Sequence, residues 1–343
     1  MKYFKHISLL WLTVWLIASC SSSVSDRPAE DTEGGAGTKG SSRSSALSAN
    51  ETQHRGDIYI AADETFRPIV ETMVEVFQNT YQEATIRVMY LPGEEAIQAM
   101  LNSDSVRLVI AARELNRAEE QMLRQQGTSA KKMDLGRDAI ALITHPSNPV
   151  KQLSAAQLRD VLSGKITKWN ELDPKGEDRK ITVVFDDAQS STMRFLVDNF
   201  MEGQAPQGYQ QGDNPSVIDY VSDEKNKGAL GVIGLGWISD SDSQQSTGFM
   251  EKIQLLGLEN TEDCPYTEEH GSYLQPYQGP IKAGCYRLTR DLYAIHRETR
   301  NGLGTGFAWW MVRPETGQRV ILKAGLVPAV GVTRIVQFPE KIP

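Results

Sequence analysis

The chain has 343 residues, 40% of them hydrophobic, and a formal net charge of −8. Such a length supports about two domains with a sizeable buried core, and the acidic balance argues against a nucleic-acid partner. Five scattered histidines and no Cys-x-x-Cys spacing give no recognisable metal site, and no cofactor is expected.

Lys2 and Lys5 precede an apolar run from Ile7 to Ile17, too short to span a bilayer as a mature helix and followed by small residues. Residues 1–19 therefore read as an export signal. Ile17-Ala18-Ser19-Cys20 resembles a bacterial lipobox, which would make Cys20 the lipidated first residue of a membrane-anchored mature protein. The other reading is an ordinary cleavage site beside an incidental cysteine. Residues 20–54 carry almost no large apolar side chains and read as a flexible tether.

The folded part is expected from about Asp57. Ile58 to Ala62 predicts a buried strand, Asp63 or Thr65 a helix cap, and Ile69, Val70, Met73, Val74 and Phe77 the apolar stripe of a helix with Pro68 in its first turn. A second unit runs from the strand Thr85 to Tyr90, through Leu91-Pro92-Gly93, into a helix from Glu94 to Asn102. A third runs from Val106 to Ala112, with Arg113 at its exit and a polar helix from Asn116 to Gln126. Strands alternating with helices predict an α/β fold of mainly parallel sheets flanked by helices. Ligands of such sheets collect beyond the carboxyl ends of the strands, where Thr65, Glu94, Glu95 and Arg113 fall. Each also has a structural reading: Thr65 as a cap, the two glutamates as first-turn acids, Arg113 as the partner of a neighbouring acid.

Asp138 to His145 predicts a further strand, and Ser154 to Leu162 a helix stopped by Ser163-Gly164. Ile181 to Phe185 is another strand, running through Asp186 into Ser190-Ser191-Thr192 and a helix with Met193, Leu196, Val197 and Phe200 inward. The three hydroxyls are either a helix cap or an anion cradle, and the two roles are compatible. Cys264 and Cys285 are either a disulfide, as an oxidising compartment favours, or two buried thiols.

The segment Leu158 to Leu172, ending Lys165-Ile166-Thr167-Lys168-Trp169-Asn170-Glu171-Leu172, is similar to one found in the solute-binding proteins of phosphate ABC transporters. Asp138 to Ile143 with Asn148-Pro149-Val150, Ser190-Ser191-Thr192, Gly228 to Gly234, and Gly325-Leu326-Val327-Pro328 follow that family's order. The resemblance implies a two-lobed type 2 periplasmic-binding-protein fold with two interlobe crossovers. Lobe one would comprise residues 55–137 and 291–343, with Phe307 to Leu322 as its closing helix, and lobe two residues 138–290. It further implies a non-enzymatic monomer in the bacterial cell envelope, facing the periplasm. That monomer would capture inorganic phosphate or a related oxyanion and pass it to an ABC permease in the inner membrane.

Carried over residue by residue, the resemblance makes Thr65, Phe66, Ser190 and Thr192 ligands, with Ser191 in a glycine position. Three positions depart from it: Asp186 where the family has a guanidinium, Pro92-Gly93-Glu94-Glu95 in place of Gly-Ser-Gly, and Arg113 where a carboxylate is common. The expectation is an exchange of roles, Arg113 clamping the anion and Asp186, or Asp187, accepting its proton. A non-transport sensor or scaffold with altered specificity is the alternative. A serine hydrolase at Ser190 or Ser191 lacks both the Gly-x-Ser-x-Gly elbow and a histidine pattern.

Overall fold

The computed structural model describes residues 50–265 and 272–332. The export signal, Cys20 and the tether before Asn50 lie outside the described residues.

Three parallel strands open the fold. β1 (Gly56–Asp63), β2 (Ala84–Leu91) and β3 (Val106–Ala111) lie in the order β2-β1-β3. Helix α1 (Arg67–Thr80) buries Ile69, Val70, Met73, Val74 and Phe77, the stripe its periodicity predicts. Helix α2 (Gly93–Asn102) follows β2, and α3 (Arg117–Gln125) starts in a capping box between Asn116 and Glu119.

The central strand is longer than its apolar run. β4 (Lys131–Thr144) begins with Lys131, Lys132 and Asp134 exposed, so its first half has no hydrophobic signature and is fixed by its neighbours. Shorter strands follow: β5 (Gln152–Leu153), β6 (Thr182–Phe185), β7 (Tyr209–Gln210), β8 (Ala229–Gly234), β9 (Gln254–Leu255), β10 (Gly257–Glu259) and β11 (Tyr273–Leu274). β12 (Thr289–His296) and β13 (Val327–Pro328) complete the set. The large sheet has the order β2-β1-β3-β12-β4-β8-β6-β7, with β9 and β13 also on β4; β11-β10-β5 is a separate sheet. Residues Lys131 to Ala139 of β4 pair antiparallel with β12, and Ile140 to Thr144 pair antiparallel with β8. β4 thus serves both halves of the sheet. The outer pairs are parallel and the centre is antiparallel, because the centre is where the chain crosses over and returns.

Helix α4 (Ala155–Leu162) begins in a capping box of Ser154 and Gln157. The short α5 (Ser191–Phe195) runs into a π-helical turn, and α6 (Asn214–Ser222) is capped by Asp213. The expected closing helix is two helices, Leu303–Val312 and Gly317–Lys323, separated around Pro314, which cannot continue the hydrogen-bond ladder. Trp310 is buried against Phe307 and Phe77, but its neighbour Trp309 is 52% exposed. Cys264 and Cys285 form a disulfide that clusters with Leu274 apart from the main core. Among the described residues, no helix is long and apolar enough to cross a membrane.

Part of the expected tether is packed. Arg107 donates to Glu51 at 2.7 Å and lies 3.2 Å from Glu298, all three charges nearly buried. Glu51 also accepts the Leu303 N–H at 3.0 Å, satisfying a donor at a helix start. Glu51 therefore belongs to the globular body.

His296, at the end of β12, is fully buried, and burial with nearby Lys131 pushes its pKa down to about 4. The unfolded chain takes up this proton below about pH 6.5 while the folded protein resists it, so the histidine's effect on stability is neutral above that value and unfavourable as pH falls towards 4. Relative to His296→Leu, the wild type is expected to lose about 3 kcal/mol between pH 7 and pH 4. Urea unfolding of both proteins across that range checks it; parallel pH profiles would contradict it.

Candidate functional site

The site grows from three strand ends and the two crossing strands. At the end of β1, Asp63 Oδ1 accepts the Thr65 N–H at 3.0 Å, capping the single turn Glu64–Phe66. This leaves two buried atoms without a hydrogen-bond partner, Asp63 Oδ2 and Thr65 Oγ1. Such atoms are costly in a native structure unless a ligand or water completes them. Gly93, at the start of α2, lets two loops meet: a Cβ there would lie 3.0 Å from both Asp63 Oδ2 and Ser191 Cβ. Gly234 does the same at the end of β8, where a Cβ would fall 2.3 Å from Thr65 Cγ2.

After β6, Ser190 caps α5 by accepting the Met193 N–H at 3.1 Å, and donates to Asp186 Oδ1 at 2.7 Å. Asp186 Oδ2 accepts from Asn214 at 3.2 Å, and Asn214 Oδ1 accepts the Gly234 N–H at 2.8 Å. Burial pushes the Asp186 carboxyl up to about 6, against the lowering effect of the Ser190 hydrogen bond. Asp186 is therefore a buried brace that locks the Ser190 loop to β8. Asp187, the alternative acceptor, is engaged with the Gln189 N–H and Gln210.

The guanidinium of the site is one that sequence reasoning missed. Arg290 on β12 stands opposite Asp138 on β4 and binds its Oδ2 through Nε at 2.9 Å and Nη2 at 2.8 Å. Its Nη1 donates to Ser191 Oγ at 2.9 Å and Thr192 Oγ1 at 3.3 Å, and its Cζ lies over the Phe66 ring, 4.9 Å from the centroid. Arg290 is 4% exposed. Thr65, Phe66, Ser190, Ser191 and Thr192 are thus brought to one place, with Arg290 at its centre. The available signal was a pair of charges, Asp138 and Arg290, each set beside an apolar strand run.

Arg113 is placed otherwise than expected. Its Nε and Nη2 bind Glu94 at 2.8 and 2.7 Å, its Nη1 and Nη2 bind Glu119 at 2.9 and 2.8 Å, and Nη1 also reaches the Glu114 carbonyl. All five guanidinium donors are engaged, so the clamp role expected of Arg113 has no free N–H to perform it. Glu119 and then Glu94 raise its pKa further, keeping it charged. Glu94 also holds Arg194 of α5 at 2.6 Å, so the departure from Gly-Ser-Gly builds an ion-pair rim across the mouth of the site.

A family model described as a PBP superfamily domain matches residues 47–315. The chain belongs to the PBP superfamily. This superfamily member is 22% identical over 235 residues to the phosphate-binding protein PstS of Staphylococcus epidermidis, covering 68% of this chain and 66% of that protein. Over 245 residues it is 21% identical to the phosphate-binding protein PstS of Staphylococcus haemolyticus, covering 71% and 72%. The match therefore spans about two thirds of these relatives' length, and both are named as binding proteins. Among solved structures, it resembles a Clostridium perfringens protein described as a phosphate ABC transporter substrate-binding protein with bound phosphate. That likeness has a TM-score of 0.64 and 22% identity, covering 80% of this chain and 100% of that one. An ABC-type phosphate transport receptor from Vibrio cholerae gives a TM-score of 0.57 at 19% identity, with 80% and 100% covered. These likenesses place the chain in the two-lobed fold.

Proposed function

We propose that this PBP superfamily member captures a tetrahedral oxyanion, with inorganic phosphate as the reference ligand, and presents it to an ABC permease. The single observation that carries this reading is the Arg290 guanidinium held against the Ser191 and Thr192 hydroxyls, in a site with the unpartnered Thr65 hydroxyl. One Nη2 N–H of Arg290 is used by neither Asp138, Ser191 nor Thr192, and the two hydroxyls that accept from Nη1 keep their own O–H to donate, a set that suits an oxyanion. Asp63 Oδ2, buried and unpartnered, takes the proton-accepting role expected of Asp186. The described residues within 55–137 and 291–343 form one lobe, joined by Glu51, and those within 138–290 the other, with β4 and β12 as the hinge. The exported monomer is anchored through Cys20, which lies outside the described residues.

A second reading, a sensor or scaffold with another ligand, draws on one observation. Asp63, Asp138 and Asp186 are all buried around one buried guanidinium, which weakens attraction for a dianion. Calorimetry with phosphate, arsenate and sulfate separates the two. The transport reading expects phosphate and arsenate to bind and sulfate, which has no proton to donate at neutral pH, to bind far more weakly. Binding of none of the three would favour the second reading.

A further inference from the structure

We propose that the ion pair between Glu94 and Arg194 is a latch that holds the two lobes closed over the site and sets how long a bound anion stays. The anion is the one of the oxyanion reading above, on which this part of the inference rests. The latch itself is made of contacts between the lobes alone. Glu94 lies in the first turn of α2, which packs on β1 and β3. Arg194 lies on α5, which follows β6 and opens with the Ser191 and Thr192 hydroxyls that meet Arg290. Both side chains line the cavity of about 90 Å³ that Asp63, Ser191 and Arg290 also line. That is room for about three waters, so an ion held there lies against both lobes.

The carboxylate side of the latch is set in advance. Arg113 donates to both Glu94 oxygens, at 2.8 and 2.7 Å, and is itself fixed by Glu119, a buried member of the Asn116 capping box. Glu94 is therefore aimed from within its own lobe, and closing orders one long side chain where a free pair would order two. Arg194 reaches Glu94 at 2.6 Å and has Asp198 at 3.3 Å. Among the described residues one other ion pair joins the lobes, Lys323 with Asp242, whose side chains are 70% and 65% exposed. Those of Arg194 and Glu94 are 47% and 30% exposed. Water and salt screen the outer pair more, so the pair at the mouth carries more of the closure.

The test is the release of radiolabelled orthophosphate, chased with unlabelled ion, from the wild type, Arg194→Met and Glu94→Gln. Each change breaks the latch, so release is expected about five-fold faster in both variants, the upper worth of a partly exposed pair. Thermal melting checks their folding, which matters most for Glu94→Gln because it also touches Arg113. A rim that only steers anions gives opposite signs. Glu94→Gln, which removes a negative charge, would then bind faster and Arg194→Met more slowly, with release unchanged in both. That result overturns the latch.

A second readout needs no ligand. Spin labels on Gln98→Cys and Gln204→Cys, exposed positions on either side of the mouth, are expected to show a longer mean distance once Arg194→Met is added. Equal distances with and without Arg194→Met, in the presence and absence of orthophosphate, overturn the inference and leave the oxyanion reading standing. A wild type that binds no orthophosphate overturns that reading instead, and the label distances then decide the latch alone.

Discussion

Arg290→Met is expected to abolish oxyanion binding, lowering phosphate affinity at least 100-fold, and to destabilise the protein by about 3–5 kcal/mol. Both effects come from one side chain. Arg290 is the buried donor to Ser191 and Thr192, and the partner of Asp138, which is 1% exposed. Removing one member of a buried ion pair leaves the other charge uncompensated, which carries that penalty. The double variant Arg290→Met with Asp138→Leu separates the roles. Replacing a whole buried pair with apolar groups is often neutral, so urea unfolding of the double variant is expected to recover most of the lost stability. Its phosphate affinity is expected to stay as low as that of the single variant. A double variant that binds phosphate would show that the guanidinium is structural and not a ligand.

Gly234→Val is the second large effect. The first side-chain carbon of valine would fall 2.3 Å from Thr65 Cγ2 and 3.4 Å from the Thr65 carbonyl oxygen, so β8 and the β1 loop cannot keep their separation. Overpacking of this kind costs about 1–3 kcal/mol. It also displaces the Thr65 hydroxyl and the Gly234 N–H that Asn214 holds. An affinity loss of at least 30-fold is expected, measured by calorimetry on protein whose circular dichroism matches the wild type. Unchanged affinity would show that Thr65 lies outside the site. The loop's approach is thus set by a missing side chain.

Local chemistry made much of the fold legible. The α1 stripe, Pro68 in its first turn, and the Asn116 and Ser154 caps are all signals carried within a few residues. The Trp169 motif is explained by the structure: the ring is buried and its Nε1–H donates to the Gly228 carbonyl at 3.1 Å, tying the motif to the start of β8. The first half of β4 was illegible because its charged residues break the apolar pattern, and Glu51 because its partners, Arg107 and the Leu303 N–H, lie far along the chain.

The site shows the same division. Ser190, Ser191 and Thr192 could be read as a strand-to-helix turn, but the guanidinium that meets them comes from a strand near the other end of the chain. Arg290 and Asp138 are 152 residues apart and meet only because β12 returns beside β4. Arg113 drew the charged-clamp role because it lies just beyond the end of β3, where ligands collect. Glu94 and Glu119, each within 19 residues of it in sequence, satisfy it instead. In the proposed reading the exchange of charge between Arg113 and Asp186 gives way to a different one, in which the crossing strand supplies the cation and the first loop the free carboxylate.

The most direct measurement is a crystal structure of the protein grown with phosphate. The account predicts a phosphate within hydrogen-bond distance of Arg290, Ser191 and Thr65, with Asp63 Oδ2 facing one of its oxygens and Arg113 still bound to Glu94 and Glu119. Phosphate seated on Arg113, with Arg290 still closed on Asp138, Ser191 and Thr192, would contradict it.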